Sequence, residues 1–143
     1  MEANLLRLLG GLLNALKGFY LLTYNGVKFD VEYVVKRSRL YGLDLEEAFD
    51  AHRHVDVYQL LRWLGVRLPS YSQKCVEKAL GIKRAVEGIS GSNYYRAYQN
   101  FINGGDLTPL LYNLEDSFGC LRIVEAISRL MPKAEGGMSK FFI

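Results

Sequence analysis

The sequence predicts an α/β fold: short parallel strands packed by several helices. Three observations carry that expectation. Short apolar runs at 19–23 and 54–58 alternate with longer segments whose apolar residues return every three or four positions. Turn and cap residues (Asn25-Gly26, Gly81, Gly104-Gly105) fall between those segments. A chain of 143 residues, 50% hydrophobic and 23% charged, is long enough to bury a real core as one globular domain.

The elements follow in order. Leu5, Leu6, Leu9, Leu12, Leu13 and Leu16 recur at helical steps and predict an amphipathic helix over about 3–17. This segment is not expected to span a membrane, because Arg7, Asn14 and Lys17 interrupt it and a span needs roughly 20 uncharged residues. It lacks a basic leader and a small-residue cleavage site, so the chain reads as cytoplasmic. The run 19–23 is apolar enough to predict a strand covered on both faces. Asn25-Gly26 ends it, and 29–41 reads as a helix with Phe29, Tyr33 and Val34 inward and Lys36, Arg37 and Arg39 outward.

A second strand at 54–58 runs into a helix through Leu64. Ser70 or Ser72 caps a helix over about 72–80, closed by Gly81. A loop at 83–92 precedes a helix near 93–103. Asp106 caps a long last helix that Pro132 stops. Residues 1–131 form the domain and 132–143 a flexible tail with an apolar tip.

Net charge is +3, which suits either a nucleic-acid partner or an ordinary solvated basic surface. Cys75 and Cys120 have no CxxC spacing, which argues against a zinc site. Two free thiols is the simpler reading, with a disulfide as the alternative.

The segments "LLTYNGVKFDVEYVVKRSRLYGL", "HVDVYQLL", "LPSYSQKCVEKALGIKR" and "LLYNLEDSFGCLRIVEAI" stand in a recognisable order. Together they resemble the 3′–5′ exonuclease domain of family-B DNA polymerases and related ribonuclease-H-like exonucleases, of the type whose third motif carries a tyrosine (DEDDy). The resemblance covers about residues 2–130. It implies that Asn25 and Asp30 occupy the second exonuclease motif, with Tyr24 and Phe29 beside them at the substrate. It implies equally that Tyr112 and Asp116 occupy the third motif, the aspartate on a metal and the tyrosine orienting the attacking water. His54 and Asp56 match a strand that is usually structural, and Leu68, Tyr71 and Ser72 match a segment leading into a packing helix.

The first family motif, Asp-x-Glu on a strand, has no counterpart before Asn25, and the first three strands of the fold are absent from these 143 residues. The expectation is therefore an N-terminally truncated exonuclease domain. Two-metal hydrolysis holds two cations about 4 Å apart with several carboxylate oxygens. Asp30 and Asp116 alone would bind metal weakly at best. No cofactor is expected, with Mg2+ or Mn2+ entering only if the domain is active.

The missing neighbour would leave the strand at 19–23 with an open apolar edge. That predicts self-association, most simply a homodimer that extends the sheet. In the tail, Met138, Phe141 and Phe142 have the spacing of the sliding-clamp (PCNA) binding motif, with Glu135 where that motif has Gln. A tail that packs on its own domain or on a dimer mate is the alternative. Lys36, Arg37, Arg39, Arg53, Arg62, Arg67, Lys83 and Arg84 lie among Tyr24, Tyr33, Tyr71, Tyr94 and Tyr95, a composition that suits single-stranded DNA. Surface cations and half-buried tyrosines are the plainer account.

The functional expectation is a non-catalytic, exonuclease-like accessory or binding module in DNA replication or repair. Its rivals are an active metal-dependent 3′–5′ exonuclease, completed by carboxylates from a partner chain or an upstream segment, and a protein-interaction fold.

Overall fold

A computed structural model describes residues 1–86, 88–90 and 92–130 of the chain. They fall into two compact units, Met1–Arg67 and Leu68 onward. The tail residues Met138, Phe141 and Phe142 lie outside the described residues.

The first unit runs α1 (Glu2–Ala15), β1 (Tyr20–Thr23), a π-helical turn (Val27–Val31), α2 (Glu32–Arg39), α3 (Glu46–Asp50), β2 (Arg53–Asp56) and α4 (Val57–Trp63). β1 and β2 pair in parallel, with Tyr20 opposite Arg53 and Thr23 opposite Asp56. Parallel pairing requires a crossover, and the π turn, α2 and α3 supply it. The core is built from Leu6 and Leu13 of α1, Val35 of α2, Leu45 and Ala48 around α3, and Val57 and Leu61 of α4. Arg37 donates to both carboxylate oxygens of Glu2, at 2.7 and 2.5 Å, and the Tyr41 hydroxyl donates to Glu2 Oε2 at 2.7 Å. One carboxylate thus ties the start of α1 to α2.

Four details depart from the sequence reading. β1 is not covered on both faces: Tyr20 is exposed and Leu21 to Thr23 are half-buried, and β2 is its one strand partner among the described residues. Phe29 and Tyr33 point outward, 63% and 64% exposed, while Val35 and Ser38 are buried. The π turn is the cause, since its wider winding shifts the helical phase of everything after it. Arg37 is half-buried against Glu2 rather than solvated. β2 also stops at Asp56 instead of 58, where the Asp56 side chain accepts the Gln59 N–H and caps α4.

The second unit contains α5 (Gln73–Ala79), α6 (Tyr94–Gly104) and α7 (Thr108–Leu130). Asp106 precedes α7 and accepts from the Thr108 amide at 3.0 Å. Val76 of α5, Ile89 of the connecting loop, and Pro109, Cys120 and Ile123 of α7 are buried together with Glu77. Cys75 and Cys120 are free thiols.

Candidate functional site

The residues expected in the second motif sit where β1 hands over to the π turn. Asn25 has φ of +57°, a left-handed conformation that asparagine tolerates better than most residues. The turn is held by Asp56, which is only 7% exposed. Its Oδ1 accepts the Asn25 N–H at 2.9 Å and the Gln59 N–H at 3.3 Å. Its Oδ2 accepts the Val27 N–H and the Thr23 hydroxyl, both at 3.2 Å. Because the Thr23 proton goes to Asp56, His54 Nε2, 2.8 Å from the same hydroxyl, is left to donate to it. Burial lowers the His54 pKa against the opposing charge of Asp56. The backbone at Gly26 lies against Thr23, where an added Cβ would stand 2.7 Å from the Thr23 Cβ.

This carboxylate does structural work. It satisfies amides on both sides of a strained turn and carries no ion pair among the described residues. Its product is the presentation of the next residues: Val27, Lys28, Phe29 and Asp30 are all exposed on the π turn. Asn25 is half-buried. Tyr24 is also half-buried and meets Tyr58 edge-on, with ring centroids 6.3 Å apart.

The pair expected in the third motif lies in the second unit, one turn apart on α7, so Tyr112 and Asp116 share a face. Arg84, from the loop after α5, reaches that face. Its Nη2 donates to Asp116 Oδ1, and its Nη1 donates to Glu77 Oε2 at 2.8 Å. Its Nε stands 3.5 Å from Glu115 Oε2. Three carboxylates therefore surround one guanidinium. Burial pulls the Arg84 pKa down, but the hydrogen bonds to Asp116 and Glu77 outweigh it and hold the group above its ordinary value.

Glu77 is the deepest member, 1% exposed, and Gln73 Nε2 completes it at 3.0 Å. The same Gln73 amide donates to the Asp116 carbonyl at 2.6 Å. Glu115 accepts the Ala85 and Val86 amides, fixing the loop that carries Arg84. Two cations approach the Tyr112 ring, with Lys74 Nζ 4.9 Å and Arg84 Cζ 5.3 Å from its centroid. Burial first, and then the charge of Asp116, raise the Tyr112 hydroxyl pKa.

Asp116 is not a freely solvated carboxylate. The residue is 34% exposed and one of its oxygens is taken by Arg84. A divalent cation at Asp116 would meet a guanidinium already in place. Within neither unit do three His, Cys, Asp or Glu side chains among the described residues gather to hold a metal. Asp30 belongs to the first unit and Asp116 to the second.

Several cations of the basic run are paired with acids of their own unit. Lys36 pairs with Glu32, Arg37 with Glu2, Arg39 with Asp44 and Glu46, and Arg84 with its three acids. Arg53 lies 5.7 Å over the Tyr20 ring. Residues 36–67 belong to the first unit, and Lys83 and Arg84 to the second.

Sequence reasoning missed Glu77, Gln73 and Gly119. The available signal was a glycine in the interior of α7, where helix propensity argues against one. A Cβ there would overlap Glu77 Oε1 and Gln73 Nε2.

No curated protein and no solved structure matches this chain at a significant level. The family model of the RNase H superfamily matches residues 2–128. The order of elements, the turn that presents Asp30 and the Tyr112–Asp116 face all lie inside that match, and the chain belongs to the RNase H superfamily.

Proposed function

We propose that this chain is an exonuclease-like module that binds single-stranded nucleic acid in DNA replication or repair, and that these 143 residues do not cut it unaided. One observation carries the reading: Asp116, the third-motif acid, is neutralised by Arg84 inside its own unit. A phosphodiester-cleaving centre needs its carboxylates available to cations. The exposed Phe29 and Lys28 beside Asp30 support binding, since an aromatic face next to an ammonium suits a base and its phosphate. The apolar residues Met138, Phe141 and Phe142 add a tether to the sliding clamp in this proposal, and the open edge of β1 a route to self-association.

The test incubates the purified chain with end-labelled single-stranded and primed DNA in Mg2+ and in Mn2+, with Asp30→Ala and Asp116→Ala alongside. The expected result is retained, uncut DNA for all three proteins. Degradation that both substitutions abolish would overturn the reading and establish a nuclease with carboxylates completed by another chain.

A further inference from the structure

We propose that a concavity of about 470 Å3 in the second unit, between α5 and the loop that follows it, binds the phosphodiester backbone of single-stranded nucleic acid. The inference rests on the nucleic-acid reading above and assigns it a place. Lys74, Lys78, Lys83 and Arg84 line the concavity, and Glu77 is the one carboxylate among the described residues that line it.

The division of labour among those cations matters more than their number. Arg84 is held by Glu77 and Asp116, and Lys74 donates to the Ile89 carbonyl beside the Tyr112 ring. Both are built into the wall. Glu77 is already compensated by Arg84, so it does not repel an incoming anion. Lys78 and Lys83 are exposed and make no ion pair among the described residues. Two exposed ammonium groups without an ion pair among the described residues, both lining a cation-rich hollow, suit an anion with more than one charged group. A polynucleotide backbone presents such charges at regular spacing. Lysine's strongly hydrated point charge and flexible stem suit phosphates whose exact position varies. The volume is in the range of sites that enclose a mononucleotide-sized group.

The experiment measures binding of a fluorescent 20-residue oligothymidylate to the full chain by anisotropy over a salt series. Lys78→Ala/Lys83→Ala is compared with wild type and with Lys78→Arg/Lys83→Arg. Two lost phosphate contacts predict a fall of about 1.4 in the slope of log K against log salt, and roughly 60-fold weaker binding at 50 mM salt. The arginine pair restores most of both. Circular dichroism checks that the alanine pair is folded.

Wild type that binds with unchanged affinity and slope in the alanine pair would overturn this placement and leave the nucleic-acid reading standing. Wild type that binds no oligonucleotide would sink both. Displacement by millimolar inorganic phosphate at constant ionic strength would assign the hollow to the free anion and overturn the polymer assignment.

Discussion

Gly119→Ala sets two effects of opposite sign against each other, and the structure decides between them. Inside a helix, alanine is favoured over glycine by about 1 kcal/mol. Gly119 sits well within the 23-residue α7, so propensity alone predicts stabilisation. The added Cβ would overlap Glu77 Oε1 and Gln73 Nε2 and stand 3.2 Å from the Glu77 carboxyl carbon. Ends of long side chains usually swing aside at little cost, but this one cannot. Glu77 is 1% exposed, Arg84 holds its Oε2 at 2.8 Å, and Gln73 holds its Oε1 at 3.0 Å while also donating to the Asp116 carbonyl.

Relieving the overlap breaks the two Gln73 bonds, each about 1–3 kcal/mol when a buried group is left unmatched. Overpacking adds about 1–3 kcal/mol. Even the low ends sum to about 3 kcal/mol against a gain of about 1, so the net loss is about 2 kcal/mol or more. For a unit of this size that lowers Tm by roughly 8–16 °C. The assay is thermal unfolding of the full chain followed by circular dichroism. Gly11→Ala in α1 is the control, since a Cβ there meets nothing within 4 Å and propensity should act unopposed. A Gly119→Ala protein that melts at or above wild type would refute the argument.

Asp56→Ala orphans three backbone amides around the Asn25 turn and should destabilise the first unit by about 3 kcal/mol or more in urea unfolding. Asp30→Ala, at an exposed position a few residues away, should change stability by no more than about 0.5 kcal/mol, and equal losses in the two would undo the distinction between them. Hydrogen bonds from Arg37 and then Tyr41 hold the Glu2 carboxyl down to about 2, from an ordinary value of 4.5. Its folded-state pKa is depressed, so its contribution is full above 4.5 and disappears as the pH falls from there towards 2. The urea midpoints of wild type and Glu2→Gln should therefore converge over that window, and a gap that stays constant would mean the carboxylate is not held as described.

The alternation of elements was legible because periodicity and punctuation agreed. The strands, the Asn25-Gly26 turn and the last helix fell within a residue or two of where apolar spacing and cap residues put them. Which face of 29–41 turns inward was not legible. A π turn adds an extra residue without leaving a compositional mark, and it carried Phe29 and Tyr33 to the surface. The resemblance marked Asp56 as structural, yet its four donors come from β1, the turn and α4, which only the parallel pairing brings together. The clamp on Asp116 was hidden for the same reason. Arg84 lies 32 positions away in sequence, among residues that read as a surface loop.

The grouping of Arg84 with Glu77, Asp116 and Gly119 also constrains how the second unit can evolve. Losing the arginine strands a buried acid, losing the acid strands the arginine, and a larger residue at 119 displaces the acid from its seat. Single steps from this arrangement pass through a damaged fold, whereas paired replacements do not. Lineages related to this chain should therefore change positions 77, 84 and 119 together or hold them together. Asp30, free of that bargain on its exposed turn, is able to drift alone.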